Sequence, residues 1–136
     1  TTQGLGHIGK GQQAVSLNPQ NGGIQMPFGK DVFMQACTYL TQNTKDIVEF
    51  NGYSLSELSY FIGHQANMRI LKNVMIQLEV PEEKSLSNIE ELGNTGSPSS
   101  LLVFAQNYER FNKNDLICIS VFGGGYSAGS CLLRIR

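Results

Sequence analysis

Charge is scarce in this sequence. Only 15% of its 136 residues are Asp, Glu, Lys or Arg, against about a quarter in an average globular chain. Ten basic residues stand against eleven acidic ones, so no electrostatic surface for nucleic acid or for a membrane is expected. Tryptophan is absent, and cysteine is limited to Cys37, Cys118 and Cys131. An odd number at wide spacing argues against a disulfide framework and against zinc, and favours a reducing cytoplasm. No apolar run approaches the ~20 residues that span a bilayer. The 15 glycines follow no period, and neither a heptad pattern nor an internal repeat is present. The opening Thr1-Thr2-Gln3-Gly4-Leu5-Gly6-His7 has no initiating methionine, no charged n-region and no apolar h-region, so it reads as a piece of a longer protein without a signal peptide. Apolar residues, by contrast, make up 40% of the chain. That argues against disorder and predicts one domain that buries much of its surface in a core or against a partner.

The elements follow from periodicity. Residues 1–23 are rich in Gly, Gln and Asn and read as an irregular lead-in. A short strand at Ile24-Gln25-Met26 precedes a helix from Asp31 to Phe50, with Phe33, Cys37, Leu40, Ile47 and Val48 on one stripe. Asp31 sits in its first turn, where the helix dipole favours an acid. Leu58 to Ile62 reads as a strand. A second helix, from near Gln65 to before Pro81, carries Ala66, Ile70, Leu71, Val74 and Leu78 on its stripe. Glu79 to Glu91 holds five glutamates and reads as a solvated edge, with a modest strand at Ser85 to Ile89. Ser97 is placed to cap a third helix, Pro98 to occupy its first position, and Leu101, Leu102, Phe104, Ala105 and Tyr108 to form its buried face. Leu116 to Phe122 is nearly all apolar, as in a strand covered on both faces. After Gly123-Gly124-Gly125, a last strand from Tyr126 to Ile135 returns antiparallel. This order predicts an α/β fold: a five-stranded, mostly parallel sheet with an antiparallel last strand and helices packed on it.

Three spots each follow an expected strand: His64, Asn94 and the glycine run 123–125. In open α/β sheets that edge is where ligands bind. His64 can serve as acid, base or hydrogen-bond donor, or simply cap the next helix. Asn94 can offer its amide NH2 to a developing oxyanion, or be a plain turn residue. The glycines can present backbone N–H groups to an anion, or only supply the φ freedom of a turn. None of the three cysteines is placed at a helix N-terminus, where a thiolate would be stabilised. They read as small core hydrophobes. No metal site is indicated, and Phe122-Gly123-Gly124-Gly125-Tyr126 lacks the Gly-Lys-Ser/Thr ending of a phosphate-binding loop.

Three segments belong together: Gly63-His64-Gln65-Ala66-Asn67-Met68-Arg69-Ile70, Gly93-Asn94-Thr95, and Phe122-Gly123-Gly124-Gly125-Tyr126-Ser127-Ala128-Gly129. With Val32-Phe33 opening the first helix and 94 − 64 = 30 residues from His to Asn, they resemble the C-terminal half of β-ketoacyl-acyl-carrier-protein synthase III, one of the thiolase-fold condensing enzymes. The likeness runs from about Ile24 to Arg136. It implies that residues 1–136 form the C-terminal one of two similar α/β halves, the nucleophilic cysteine belonging to the other. It also implies an acyltransferase that performs a decarboxylative Claisen condensation in fatty acid biosynthesis. An acyl group passes from coenzyme A to the cysteine; malonyl carrier protein then loses CO2, and its carbanion attacks the acyl thioester.

By the same resemblance His64 and Asn94 are catalytic, donating hydrogen bonds to the malonyl thioester oxygen, and Gly124 offers its N–H to the oxyanion hole. Asn67 lines the pantetheine tunnel and Phe122 packs near the acyl end. Gln65, Ala66, Arg69 and Lys72 meet the carrier protein. Coenzyme A and phosphopantetheine thioesters are substrates, and no cofactor or metal is implied. The implied partners are acyl carrier protein, acyl-CoA, the protein's own N-terminal half and a second copy in a homodimer, in the cytoplasm, with no nucleic acid and no membrane. This chain alone is expected to be inactive and to self-associate. It departs from the family pattern at Gly63, where Pro is usual, at Gly96-Ser97-Pro98-Ser99, at Met34, where Lys is frequent, and by one extra residue between Met26 and Gly29. Two alternatives remain open: a non-catalytic carrier-protein-binding or assembly module, and a specialised acyltransferase of secondary metabolism.

Overall fold

The computed structural model of the protein describes residues 2–7, 16–17, 20, 22–26 and 28–136. In chain order its elements are strands β1 (Thr2–His7), β2 (Ser16–Leu17) and β3 (Ile24–Gln25), helix α1 (Gly29–Phe50), strand β4 (Tyr60–Gly63), helices α2 (Met68–Leu78), α3 (Ile89–Leu92) and α4 (Ser99–Gln106), and strands β5 (Leu116–Gly123) and β6 (Ser127–Arg134). Short 3-10 turns lie at Leu55–Glu57, Glu82–Lys84 and Tyr108–Arg110.

Strand β5 is apolar on both sides because both its faces are covered. Leu116, Cys118 and Phe122 enter one core cluster, while Ile117 and Ile119 enter another. This is the strand period of two read out as burial. β5 pairs antiparallel with β6, from Leu116↔Arg134 to Gly123↔Ser127. On its other side β4 runs parallel, from Tyr60↔Ile117 to Gly63↔Ser120. α1 and α2 pack together on one face of the sheet. Their buried stripes, Ala36, Cys37, Leu40, Ile47 and Val48 on α1 and Ile70, Leu71, Val74, Met75 and Leu78 on α2, match the expected spacing. Each Leu, Ile, Val or Met among them contributes roughly 1.5–3 kcal/mol of transfer free energy when fully buried.

Among the described residues the main sheet has four strands in the order β1-β6-β5-β4, and only the β4–β5 pairing is parallel. The expected five-stranded, mostly parallel sheet is corrected at three places. Ile24–Gln25 pairs with Ser16–Leu17 in a separate ribbon. The expected strand at Ser85 to Ile89 shrinks to one parallel bridge, Phe61↔Ser85, secured by Leu86 N–H donating to Phe61 O at 2.9 Å. A 3-10 turn before it and α3 after it leave no length for more. Thr2–His7, within the expected irregular lead-in, instead covers the outer edge of β6, with Thr2↔Cys131 and His7↔Ser127. Its Gly-rich sequence carries no alternation to read. Of the turn cluster at 18–23, positions 18, 19 and 21 lie outside the described residues.

Helix α4 is rotated relative to expectation. Ser99, Ser100 and Val103 are buried, whereas Leu101 is 63% exposed; Tyr108, expected on the same face, lies beyond the helix end in a 3-10 turn and is 61% exposed. Its N-cap is Pro98 rather than Ser97. Ser99 Oγ donates back to Gly96 O at 2.7 Å, and Ser100 Oγ donates to Gly63 O at 3.2 Å. Those two bonds set which side of the helix faces inward.

Candidate functional site

His64 is placed by the end of β4. Gly63 is the last paired residue, opposite Ser120, so His64 emerges at the C-terminal edge of two parallel strands. A side chain at Gly63 has no room: a Cβ there would run into Leu71 Cδ2 and come within 2.9 Å of Phe61 Cε1. The strand end therefore lies directly on α2. The chain turns at once, with Ala66 N–H donating to His64 O at 3.0 Å. Asn67 then caps α2, its Oδ1 accepting from Arg69 N–H at 2.8 Å. The second helix consequently starts at Met68 and not near Gln65, and its cap is Asn67 and not His64.

Asn94 arrives differently. No strand precedes it; the single-turn helix α3 does. Gly93, at φ 66°, closes that helix with its N–H on Ile89 O at 2.9 Å. The Oδ1 of Asn94 accepts from Gly96 N–H at 2.9 Å. The carbonyl end of the amide is thereby engaged, which leaves the NH2 end to donate elsewhere.

The glycine run is held at both ends by aromatic rings. Phe122 and Tyr126 lie 5.1 Å apart between centroids, and Phe122 also stacks on Tyr39 at 6.3 Å. The buried Tyr126 donates its O–H to Asp31 Oδ2 at 2.9 Å, tying the turn to the first turn of α1. Among the described residues no backbone acceptor takes the Gly124 N–H.

These three pieces meet. His64, Asn94, Phe122 and Gly124 line one cavity of about 490 Å³, within the usual range for a small-molecule site. Val32 and Ala36 of α1 and Ile70 of α2 give it an apolar wall. Burial depresses the pKa of His64 below its ordinary 6.5, so the imidazole is neutral at pH 7 and carries one N–H. The cysteines stand apart from this site. Burial raises the Cys37 thiol and pushes Cys118 up to about 12; neither supplies a thiolate. Among the described residues no group of three His, Cys, Asp or Glu could hold a metal ion.

The remaining expected residues distribute unevenly. Ala66 lines the cavity. Asn67 is exposed, does not line the cavity, and is occupied as the cap of α2. Arg69 is exposed, and Lys72 pairs with Glu82 at 3.5 Å, with both side chains largely solvated. Gln65 is corrected. It is 0% exposed and no carrier protein can touch it. Ser87 and Asn88, which hold it, went unnoticed in the sequence because they lie in a glutamate-rich stretch read as a solvated edge. Val32 and Ala36 carried only the signal of a core stripe.

Known proteins resemble this chain along nearly its whole length. It is 33% identical over 128 residues to β-ketoacyl-[acyl-carrier-protein] synthase III 2 of Streptomyces coelicolor, covering 93% of this chain and 38% of that protein. It is 33% identical over 132 residues to the synthase III of Staphylococcus saprophyticus, covering 96% and 42%. The solved structure of 3-oxoacyl-(acyl carrier protein) synthase III from Pseudomonas aeruginosa PAO1 superposes with a TM-score of 0.89 at 31% identity, covering 99% of this chain and 43% of that one. The chain thus spans about two fifths of the length of the relatives it matches. The family model described as 3-Oxoacyl-[acyl-carrier-protein (ACP)] synthase III C terminal matches residues 48–135, a span that contains His64, Asn94 and Gly124, and the chain belongs to that family.

Proposed function

We propose that residues 1–136 are the C-terminal catalytic region of an acyltransferase that condenses an acyl-CoA with malonyl carrier protein in fatty acid biosynthesis. The observation that supports this most is the meeting of His64, Asn94 and Gly124 in one cavity, although 124 − 64 = 60 positions separate the outer two. In the proposed reaction a cysteine thiolate from the N-terminal half takes the acyl group and releases coenzyme A. Malonyl carrier protein then loses CO2, and the electron pair of the broken C–C bond forms an enolate. His64 N–H and the Asn94 NH2 donate to the thioester oxygen on which that charge develops. A neutral imidazole and an amide suit the task, because neither brings a negative charge beside the enolate. The enolate attacks the acyl carbonyl, and Gly124 N–H stabilises the resulting oxyanion. Its collapse expels the cysteine thiolate and gives the 3-oxoacyl carrier protein.

The proposed partners are acyl carrier protein, acyl-CoA, the N-terminal half and a second copy of the complete protein, with Arg69 and Lys72 on the carrier-protein side. A cytoplasmic setting accords with three free cysteines. No helix of the described residues is long and apolar enough to cross a membrane.

The complete protein, incubated with acyl-CoA and malonyl carrier protein, should yield 3-oxoacyl carrier protein, free coenzyme A and CO2, detectable by mass spectrometry. Residues 1–136 alone should yield none. Turnover by the isolated chain that disappears on replacing Cys37, Cys118 or Cys131 would refute the assignment, as would a complete protein that forms no 3-oxoacyl product.

A further inference from the structure

His64 and Asn94 stand on separate segments, and among the described residues the strand pairing between those segments is the single bridge Phe61↔Ser85. One ends β4; the other follows α3. Yet a polar side chain bridges them from inside the protein. Gln65, next to His64, is fully buried. Its Nε2 donates to Gly63 O at 2.9 Å. Its Oε1 accepts from Ser87 Oγ at 2.8 Å and from Asn88 N–H at 3.1 Å. Asn88 is the N-cap residue of α3, and it extends the chain of bonds by donating Nδ2 to Gln106 Oε1 of α4 at 2.8 Å. Gly63 O, already engaged by Gln65, also accepts from Ser100 Oγ of α4 at 3.2 Å.

We infer that Gln65 is the positioning residue of the site: it fixes the Ser87-to-Asn94 segment, and with it the Asn94 amide, against the strand end that carries His64. The physical reason is connectivity. Asn94 lies six positions after Asn88 (94 − 88 = 6), and between them stand only one helical turn and Gly93. The orientation of α3 is therefore set at its start, where Gln65 Oε1 grips the Asn88 N–H. In the dry interior a bond left unmade costs more than it does in water, so the two segments are held in one arrangement. Two donors that must meet one developing charge need that preorganisation. A surface contact with a carrier protein, the role the motif first suggests for Gln65, is incompatible with its burial.

The inference deepens the condensation reading, and its test has one arm that does not depend on it. In the complete protein, Gln65→Leu removes every bond of the amide while keeping an apolar fill. Its melting temperature reports folding. With 13C-labelled histidine, NMR titration should show the His64 pKa moving up towards its ordinary value as the segment loosens and water enters. In the catalytic arm, kcat should fall about 10²-fold, the scale of a ~1 Å misplacement, with KM for carrier-protein and small malonyl thioesters little changed. Ser87→Ala, at an exposed position, should act in the same direction more weakly, and it decides the matter if Gln65→Leu does not fold. An unmoved His64 titration with wild-type kcat in either folded variant overturns the inference. So does a rise in KM for the carrier-protein substrate alone, which would make Gln65 a docking residue. If the wild-type protein itself fails to condense, the functional reading falls, and the NMR arm still decides the role of Gln65.

Discussion

The two faces of the sheet are built to different standards. On the side of α1 and α2, 19 buried apolar residues form one cluster among the described residues. On the side of α4 there are five, and α4 turns Leu101 and Leu102 outward while burying Ser99 and Ser100. Both faces receive alternate residues of the same strand, so β5 itself is not the cause. The difference lies in what covers them. α1 and α2 run for 22 and 11 residues, whereas α4 has only 8. α4 buries its serines on polar bonds, Ser100 to the strand end at Gly63 O and Ser99 to Gly96 O, and leaves Leu101 and Leu102 exposed, an apolar surface of the kind that usually finds a partner.

That contrast can be tested by substitution, beginning with the largest effect. Phe61 is completely buried in the larger cluster, and Phe61→Ala should cost about 3–5 kcal/mol by denaturant melts. Gly63→Ala places a methyl against Leu71 and Phe61, an overpacking that should cost about 1–3 kcal/mol. Val103 is the sole buried apolar residue of α4; Val103→Ala removes two methyl-sized groups at ~0.8 kcal/mol each and should cost about 1–2 kcal/mol. Leu101→Ser should change the stability of the isolated chain by under ~0.5 kcal/mol, but destabilise the complete protein more. Equal, small effects in both would mean that nothing covers the α4 face.

The weakest expected effect concerns pH. Burial lowers the His64 pKa below 6.5, so the unfolded chain binds the proton first as pH falls. Stability from this group is full above pH 6.5 and is lost as pH drops through the folded pKa. His64→Asn should flatten that limb of the stability profile, seen in melts between pH 7 and 5. An unchanged slope would show that His64 is not the group responsible.

How much of this was legible in the sequence differs by face. The stripes of α1 and α2 and the double coverage of β5 follow from period and composition, because burial alone decides them. α4 was misread for the same reason: Leu101, Leu102 and Ala105 look like an inward face, and composition alone does not say which side of the helix turns to the sheet. β1 was invisible, since a Gly-rich stretch leaves no alternation to read. The site was legible as a set of residues. His64, Asn94 and Gly124 stand together as expected, but Asn94 is delivered by a helical turn instead of a strand. The network behind it was not legible, because Gln65 beside His64 in a motif invites a surface role, and only its burial reveals the opposite.

In the proposed reaction His64 and Asn94 act together on the malonyl thioester and not on the transfer of the acyl group. In the complete protein, CO2 release from malonyl carrier protein and acyl labelling by acyl-CoA can be followed separately in His64→Ala and Asn94→Ala. Each variant should lose about 10²–10³-fold in CO2 release, the usual cost of one oxyanion donor, while acyl labelling persists. Wild-type CO2 release in either variant, or loss of acyl labelling without loss of decarboxylation, would contradict the account.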